Sequence, residues 1–570
     1  MRVAVSNEAE AAVAEESSPA IDAILGANPF VGLDANQIMA TLAEFLSSAA
    51  SRPDKIANRI AEFGAELLKI AAGGSNVEAE AGDKRFADPT WAGNPFYRRM
   101  MQTYLAWRAA MHSLAVPREA DGNWKLASQQ RFAVTLLTEA LAPTNTLIGN
   151  PAALKRAFET GGKSLIAGAR NFMSDLWNNG GMPSQVDKRS FKVGENLAVT
   201  PGSVVWRNQL IELIQYAPST RQVYERPLLI VPPQINKYYV LDLAPKRSLV
   251  EHAVAHGMQI FVVSWRNPGP QHRDWGLDDY IGAIKEAMGA ALEITGSPDL
   301  NLLAVCAGGI TSSLMLGHLA ASGDRRVNAA TLLVTMLDSS QPSMTGMFTT
   351  EENVRTAATR SQQKGVLDGA SMARIFAWLR PNDLVWHYWV NNYLMGQDPA
   401  PFDILYWNSD STNLPARLHA GFLDILLRNP LVEADKLEIL GTPINLRNVS
   451  CDMYMVAGLT DHICAWRACH RAARLFGGRT EFVLNSSGHV QSIVAAPGNF
   501  KSKYLTNARL GSDADHWFET ATEHKGTWWD HWLEWLGRRA GEQKAPPAAL
   551  GSEHFPPMEA APGTYVHQRP

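Results

Sequence analysis

The chain has 570 residues, of which 46% are hydrophobic and 19% are charged, and its formal net charge is −4. This size and apolar content are sufficient for a large buried core and for more than one domain. The slightly acidic balance lacks the basic field typical of nucleic-acid-binding proteins, so no nucleic-acid partner is expected. The acidic N-terminus, MRVAVSNEAEAAVAEESS, has no apolar h-region, and the chain has no long uninterrupted apolar window. Neither a secretory signal nor a transmembrane span is therefore predicted.

Cysteine usage is low for a chain of this length. With no signal sequence, this indicates a reducing cytoplasmic compartment and no disulfide framework. In DHICAWRACH two cysteines lie near two histidines, but there is no C-x-x-C pair, and on a helix residues 464 and 469 face different sides. We therefore expect no metal site and interpret both as ordinary helix residues. The four cysteines are Cys306, Cys451, Cys464 and Cys469.

The N-terminal third of the chain is predicted to be helical. Residues 1–25 are rich in Ala, Glu and Ser and are predicted to be disordered. Residues 26–190 are predicted to form a helical domain, because segments such as KIANRIAEFGAELLKIAAGG space apolar residues by three and four. Pro143 and Pro151 mark breaks between helices.

After residue 190 short apolar runs alternate with helical stretches. VGENLAVTPGSVVWRN predicts a hairpin about Pro201-Gly202. The alternation that follows predicts a parallel sheet with helices on both faces, in a catalytic domain over residues 191–540. The tail, 541–570, is rich in proline and is predicted to be extended. The predicted strands are PLLIVPP (227–233), MQIFVVSW (258–265), LNLLAVC (300–306), ATLLVTM (330–336), DMYMVAG (452–458) and TEFVLNSS (480–487).

A long interval without a clear strand, about 337–448, interrupts this rhythm. An insertion of this length between sheet strands is most simply a cap domain over the strand ends. It contains many aromatic residues, which could shield the site and line an acyl pocket or could equally form a packed helical core. Farther along, GTWWDHWLEWLGRR places three tryptophans on one helix face, which favours packing against the sheet. The insertion's aromatic residues include Phe376, Trp378, Trp386, Tyr388, Trp389 and Tyr393.

The stretch LNLLAVCAGGITSSLMLGHLA (300–320) places Cys306 between a strand and a helix. A small residue two positions before a nucleophile and a glycine two positions after it form the nucleophile elbow of α/β-hydrolases. Ala304 and Gly308 occupy those positions, and the following helix directs its positive end at the thiol, which favours a thiolate. On this motif alone, Cys306 could also be a small buried core residue.

Two further residues follow predicted strands in the order this fold requires, acid before histidine. Asp461 comes soon after DMYMVAG, and His489 follows TEFVLNSS. Asp461 alone could be a helix N-cap, and His489 alone could be incidental. As an ordered set, Cys306, Asp461 and His489 predict a catalytic triad. His462 is disfavoured as the base because it follows no strand of its own.

Several strings together resemble polyhydroxyalkanoate synthases, among them FADPTWAGNPFYRRMMQTYLAWRA, RPLLIVPPQINKYYVLDLAPKRSLVEHAV, AVCAGGIT, AGLTDHI and SSGHVQSIV. CAGGIT and SWRNPGP are most similar to the medium-chain (class II) branch. Alanine at Ala304, where many members have glycine, is a small departure. The resemblance implies an α/β-hydrolase fold with a cap insertion, preceded by a helical N-terminal domain.

The resemblance also implies an activity: an acyltransferase that polymerises medium-chain (R)-3-hydroxyacyl-CoA into polyester. Cys306 would carry the growing acyl chain, and coenzyme A would be a leaving group rather than a cofactor. Backbone N–H groups of Ala307 and of Ile235, in the loop after PLLIVPP, are expected to form the oxyanion hole. A homodimer, a cytoplasmic location at polyester granules and granule-associated partner proteins are expected.

Two alternatives remain open from the sequence. The first is a thioesterase or polyester depolymerase on the same fold, although such enzymes usually have serine in the elbow. The second is a granule-associated protein without enzymatic activity. Substitution of Cys306 separates the second alternative from the first, because only an enzyme needs the thiol.

Overall fold

In a computed structural model of the chain, the structure describes residues 41, 43, 45, 47, 53–115, 124–340, 343 and 346–569. The segment predicted to be disordered, 1–25, lies outside these residues. The chain divides into two compact units. A helical unit comprises Met1–Asp187 and Ala373–Pro401, and a sheet unit comprises Lys188–Met372 and Phe402–Pro570. Among the described residues, no helix combines the length and apolar character needed to cross a bilayer.

The helical unit starts its helices where the sequence provides caps. Asn94 accepts the N–H of Phe96 at 2.9 Å, and Asn150 accepts the N–H of Ala153 at 3.1 Å. A proline follows each asparagine at the first helical position, where its missing N–H costs nothing. The predicted break at Pro151 is therefore confirmed as a helix start. The helices are α1 (Pro53–Ala72), α2 (Thr90–Gly93), α3 (Pro95–Leu114), α4 (Trp124–Ala140), α5 (Pro151–Glu159) and α6 (Lys163–Asn178).

The aromatic segment of the predicted insertion packs inside the helical unit. The Trp389 indole N–H donates to the Asn145 carbonyl at 3.0 Å, and the Tyr393 hydroxyl donates to Asp175 Oδ2 at 2.8 Å. Its backbone forms two π-helical turns, Asn382–Trp386 and Trp389–Leu394. These contacts agree with the interpretation of the aromatic residues as a helical core, while an acyl-pocket role stays a prediction.

Within the described residues, the sheet unit is built on a ten-stranded sheet in the order β1-β2-β4-β3-β5-β6-β7-β8-β9-β10. Strands β4, β3, β5, β6, β7 and β8 are parallel, with antiparallel pairs at both edges. The strands are β1 (Gly202–Arg207), β2 (Ile211–Tyr216), β3 (Leu228–Val231), β4 (Ile260–Trp265), β5 (Leu300–Val305), β6 (Val327–Leu333), β7 (Asp452–Gly458), β8 (Thr480–Asn485), β9 (Lys503–Thr506) and β10 (Thr522–Lys525).

All six predicted parallel strands are confirmed. Their apolar runs are buried on both faces, as expected where helices cover both sides of a parallel sheet. The Trp528 and Trp532 side chains are fully buried, and the Trp532 indole donates to Thr331 Oγ1 at 3.0 Å, which confirms that this helix packs on the sheet. The helices are α7 (Leu249–Ala255), α8 (Leu277–Thr295), α9 (Ala307–Ser322), α10 (Glu351–Lys364), α11 (Gly369–Trp378), α12 (Asp403–Asn408), α13 (Ala416–Arg428), α14 (Trp466–Ala472), α15 (His489–Ile493), α16 (Ala514–Glu519) and α17 (Trp528–Gly537).

The predicted hairpin about Pro201-Gly202 is wrong, because β1 and β2 form the hairpin and turn at Asn208 instead. The Asn208 side chain accepts the N–H of Leu210 at 2.8 Å and of Ile211 at 2.9 Å, which makes an Asx turn. The segment before Pro201 is held elsewhere, since the Thr200 hydroxyl donates to Asp242 at 2.5 Å.

The C-terminal tail lies along the free edge of β1. The Val204 N–H donates to the Glu559 carbonyl at 2.9 Å, and the Met558 N–H donates to the Val204 carbonyl at 2.7 Å. Covering an edge strand in this way occupies backbone groups that could otherwise pair with another chain. The tail ends near the loop after β3, where Lys237 Nζ donates to the Gln568 carbonyl at 2.7 Å.

Candidate active site

Cys306 stands in a sharp turn between β5 and α9. Its φ is +52°, in the left-handed region that non-glycine residues rarely adopt. A Cβ at Gly308 would lie 2.5 Å from the Pro232 carbonyl oxygen and 2.6 Å from that of Val231. Glycine is therefore needed two positions after the cysteine, as the elbow motif predicts. Ala304, two positions before it, is fully buried in β5, where its small side chain fits.

His489 and Asp461 meet after strands β8 and β7. His489 Nδ1 lies 2.6 Å from Asp461 Oδ2, and both side chains are buried. The other oxygen of Asp461 accepts the N–H groups of Ile463 at 2.8 Å and Cys464 at 2.9 Å. Asp461 thus holds the turn before α14 and orients the imidazole, whereas the helix N-cap that the sequence offered as its alternative role falls on Ala465. The predicted histidine, His489, holds a hydrogen bond to this carboxylate.

The pKa of the Cys306 thiol is influenced by His489 and by a second thiol, that of Cys464. The hydrogen bond from Cys464 is the strongest influence lowering the pKa of Cys306; burial opposes it, and the charge of His489 lowers the pKa further. The pKa of Cys306 lies well below the usual cysteine value. Burial disfavours a charged imidazole, but Asp461 and Cys306 outweigh it and hold the pKa of His489 well above its usual value. Both shifts favour the thiolate form of Cys306 and the imidazolium form of His489.

Sequence reasoning missed Cys464 as a neighbour of Asp461 and His489. It lies in the turn before α14, three residues after Asp461, whereas the sequence favoured an ordinary helix position. The Asp461 turn places its Sγ within 4.8 Å of donor atoms of Asp461 and His489. Its hydrogen bond to Cys306, together with burial, raises the pKa of Cys464 well above the usual value, so it stays a protonated donor. Its position three residues after Asp461, in the turn that follows β7, is the sequence feature that could have indicated its location.

The two residues predicted for the oxyanion hole lie on neighbouring segments. Ala307 begins α9, so its N–H is among the first-turn N–H groups that have no acceptor within the helix. Ile235 lies in the loop after β3, and its carbonyl accepts the N–H of Thr412 at 3.2 Å. Gln234 Nε2 donates to Thr311 Oγ1 at 3.1 Å and ties this loop to α9. Their role as oxyanion donors stays a prediction.

The residues considered as a zinc set from the sequence do not form one group. Among the described residues, the only group of three potential metal-ligating side chains is Asp461, Cys464 and His489, with donor atoms within 4.8 Å of one another. In this group the carboxylate and the imidazole already bond to each other. The arrangement can supply a nucleophile, a base and an orienting acid.

Comparison with known proteins identifies the family. A family model described as Poly-beta-hydroxybutyrate polymerase (PhaC) N-terminus matches residues 82–253, and one described as alpha/beta hydrolase fold matches residues 227–496. The chain is 50% identical over 549 residues to "Poly(3-hydroxyalkanoate) polymerase 1" of Ectopseudomonas oleovorans, covering 96% of this chain and 97% of that protein. The chain belongs to the poly(3-hydroxyalkanoate) polymerase family. The fold and family expected from the sequence are thereby confirmed.

More distant members of this polymerase family also match over most of their length. "Poly(3-hydroxyalkanoate) polymerase 2" of Ectopseudomonas oleovorans is 47% identical, covering 95% of this chain and 96% of that protein. "Poly(3-hydroxyalkanoate) polymerase subunit PhaC" of Cupriavidus necator is 40% identical, covering 89% of this chain and 86% of that protein. The family relation therefore extends over both compact units and is not confined to the α/β-hydrolase fold.

Proposed function

We propose that this chain polymerises (R)-3-hydroxyacyl-CoA thioesters of medium side-chain length into polyester and releases coenzyme A. The observation that carries the proposal is the 2.6 Å contact between the His489 imidazole and the Asp461 carboxylate, in a chain of this family that holds Cys306 in its elbow turn. The names of the related polymerases support polymerisation. The medium side-chain length rests on the class II character of CAGGIT and SWRNPGP.

The first half-reaction transfers the acyl group to the enzyme. The Cys306 thiolate attacks the thioester carbonyl, and the negative charge that develops on the oxygen is stabilised by the backbone N–H groups of Ala307 and Ile235. The C–S bond to coenzyme A then breaks, and the leaving thiolate takes the proton from His489. Exchange of one thioester for another is close to isoenergetic, so the acyl group stays activated and no cofactor is required.

The second half-reaction forms the ester bond. The 3-hydroxyl of another acyl unit attacks the thioester on Cys306, and neutral His489 accepts the hydroxyl proton. The new C–O bond replaces the C–S bond, and Cys306 leaves as the thiolate. Repetition of the two steps lengthens the chain by one unit at a time.

Asp461 acts in this proposal as the orienting acid. Its Oδ1 is occupied by two N–H groups and its Oδ2 by His489, and the side chain is fully buried. A carboxylate with both oxygens engaged is poorly placed to take a proton from the acceptor hydroxyl. Its work is to fix the imidazole tautomer and stabilise the imidazolium.

The setting of the reaction is part of the same proposal. The product is an apolar polyester, so the enzyme works in the cytoplasm at the surface of polyester granules, with granule-associated proteins as partners and a second copy of the chain in a homodimer. The helical unit exposes apolar side chains that suit such a surface. They include Phe158, Ile166, Phe172 and Trp177.

The test mixes the purified protein with (R)-3-hydroxyacyl-CoA of short or medium chain length and measures released coenzyme A and polymer mass. Polymer in proportion to released coenzyme A, with faster turnover of the medium-chain substrate, supports the proposal. Free hydroxy acid without polymer supports the hydrolase alternative. Release of neither product, with a role in granules that survives Cys306→Ala, supports the non-enzymatic alternative.

A further inference from the structure

Lys237 is a buried cation in the loop after β3, two residues after the predicted oxyanion donor Ile235. Only 3% of its surface is exposed, which is rare for a lysine. Its ammonium donates to two backbone carbonyls near the C-terminus, that of Gln568 at 2.7 Å and that of Tyr565 at 3.4 Å. Burial lowers the pKa of Lys237 to about 8, although the charge of Asp410 opposes this shift. Keeping a charge buried here has an energetic cost, so its contacts need an explanation beyond the filling of space.

The loop after β3 begins against the turn that holds the nucleophile. A Cβ at Gly308 would lie 2.5 Å from the Pro232 carbonyl oxygen, so the loop backbone and the first turn of α9 are in close contact. Gln234 Nε2 donates to Thr311 Oγ1 at 3.1 Å, which attaches the next part of the loop to the same helix. Ile235 follows directly. The position of its N–H relative to the elbow therefore depends on how the rest of the loop is held.

The rest of the loop is held by two other parts of the sheet unit. The Ile235 carbonyl accepts the N–H of Thr412 at 3.2 Å, and the Lys237 carbonyl accepts the indole N–H of Trp407 at 2.7 Å. The Lys237 side chain joins the loop to the second part, the C-terminal segment of residues 564–569. Through this one side chain, a segment more than 300 residues away in sequence contacts the loop of the predicted oxyanion hole.

The C-terminal segment is itself fixed at both ends. The N–H groups of Thr564 and Tyr565 each donate to Glu212 Oε2 at 2.9 Å, and Glu212 in β2 is fully buried. At the other end, Arg569 Nη1 donates to Asp410 Oδ1 at 2.6 Å. A segment anchored in this way presents its carbonyls at fixed positions, so a hydrogen bond to it restrains the loop.

We propose that Lys237 is a positioning residue: its ammonium attaches the loop after β3 to the C-terminal segment and thereby holds the Ile235 N–H where it can stabilise the oxyanion. The inference rests on the proposed function for the role of Ile235. Lys237 transfers no proton and touches no substrate in this role, and its contribution comes through geometry. Oxyanion donors are effective because they are fixed before the charge develops, so a loop that moves would lose part of that stabilisation.

Lys237→Met separates this role from a purely structural one. The methionine side chain fills much of the same space and removes the cost of burying a charge, which offsets the loss of two hydrogen bonds, so the free energy of unfolding should change little. Methionine cannot donate to the two carbonyls, so the loop loses its attachment to the C-terminal segment. A misplacement of about 1 Å at a reacting centre can lower a rate about 10²-fold.

The experiment compares two reactions of Cys306 in the full-length protein. The first is coenzyme A release over a range of (R)-3-hydroxyacyl-CoA concentrations, which passes through an oxyanion and gives kcat and KM. The second is alkylation of Cys306 by iodoacetamide, measured at peptide level, which forms no oxyanion. For Lys237→Met we expect kcat to fall about 10²-fold, with KM little changed and alkylation at the wild-type rate. A chain that ends at Thr564, and so lacks both acceptor carbonyls, should show the same split.

Lys544→Met is the matched control. Lys544 Nζ also donates to a backbone carbonyl of a distant segment, that of Thr295 at 3.0 Å. This lysine is exposed and lies in the short strand Gln543–Lys544, which pairs with Val223–Tyr224 and not with the loop after β3. Its substitution should leave kcat, KM and the alkylation rate at their wild-type values.

A wild-type kcat in either Lys237→Met or the shortened chain would overturn the inference. Equal losses of kcat and alkylation rate would also overturn it, because Lys237 would then act on Cys306 or on the fold, as would a rise in KM alone, which indicates substrate binding. If neither variant folds, Lys237 serves stability and the inference is wrong. A wild-type protein that releases coenzyme A together with free hydroxy acid contradicts the proposed function but leaves the inference standing, because hydrolysis passes through the same oxyanion.

Discussion

The helical unit and the sheet unit each bury a cluster of charged groups, and the two clusters are built differently. In the helical unit, Arg85 lies 2.6 Å from Glu139 and 2.7 Å from Asp83, and Arg108 lies 3.3 Å from Glu139. Each charge there has a protein partner of opposite sign. In the sheet unit, Asp461 is paired with His489, and the pKa of His489 is also raised by Cys306.

This difference separates a structural ion cluster from a reactive one. Removing one member of a compensated buried cluster leaves another charge buried without its partner, which lowers stability. In the proposed function the charge of His489 is balanced by a thiolate that also attacks the substrate, so removal of a charge from this cluster should affect rate first. Substitutions in the helical unit's cluster should therefore lower stability, and substitutions in the sheet unit's cluster should lower the rate.

Cys306→Ala should have the largest effect on rate. Removal of the sulfur leaves nothing to carry the acyl group, so release of coenzyme A and formation of polymer should both be abolished. Cys306→Ser should be severely impaired or inactive, because a hydroxyl has no ready anion at neutral pH. Cys451→Ala is the matched control and should keep the wild-type rate. An active Cys306→Ala protein would show that the cluster around Cys306 is not the reactive one.

Asp461→Asn should lower the rate of coenzyme A release by about 10³–10⁴-fold, as loss of the orienting charge does in serine–histidine–aspartate triads. Asparagine can still accept the N–H groups of Ile463 and Cys464, so the turn and the thermal unfolding midpoint should be little changed. Measuring both quantities tests whether the cluster serves rate rather than stability. An Asp461→Asn protein with the wild-type rate but a lower thermal unfolding midpoint would show that Asp461 serves stability instead.

The pH dependence of Cys306 alkylation tests the ion pair directly. Because the pKa of Cys306 is lowered and that of His489 is raised, the thiolate should be present at pH values below the usual cysteine pKa. Alkylation by iodoacetamide, measured at peptide level, should therefore remain fast as the pH falls and slow only when Cys306 itself is protonated.

The same alkylation measurement on Cys464→Ala tests the contribution of the second thiol. Loss of the influence of the Cys464 thiol should raise the pKa of Cys306. At a pH below the pKa, each increase of the pKa by 1 lowers the fraction of thiolate about tenfold. The alkylation profile should move toward higher pH, and Cys469→Ala should leave it in place. An unchanged profile in Cys464→Ala would mean that His489 alone sets the thiolate.

Arg85→Met should have the smallest effect on rate and a clear effect on stability. Glu139, with 2% of its side chain exposed, would lose its shorter ion pair, which costs about 3 kcal/mol in comparable buried pairs. Denaturant unfolding of the helical unit should show the loss, while the rate per folded molecule should be unchanged. Arg59→Met is the control, because its pair with Glu62 is exposed on both sides and should contribute under about 1 kcal/mol.

Much of the sheet unit could be predicted from the sequence because its signals are local. The buried runs around Leu302, Met455 and Val483 are long enough to identify parallel strands, and the elbow glycine is required by a close backbone approach. The order of Cys306, Asp461 and His489 along the chain then limits where they can meet. The edge strands β9 and β10 carry no such apolar run and were missed.

The rest depended on long-range packing that a local pattern does not encode. The aromatic segment around Trp389 shows helical periodicity, but nothing in it indicates that it packs with the helical unit instead of with its neighbours in the chain. Cys464 was missed for a related reason. Its direction is set by a turn around the Asp461 carboxylate, and the sequence favoured a helix at that position.

The most direct test of the account is a rapid-quench experiment that looks for an acyl group on the protein. The full-length protein is mixed with (R)-3-hydroxyacyl-CoA, quenched in acid, digested and mapped by mass spectrometry. We expect a 3-hydroxyacyl thioester on Cys306 that forms as coenzyme A is released and that disappears when further substrate lengthens the polymer. An acyl group on another residue, or polymer formed with Cys306 never acylated, would contradict it.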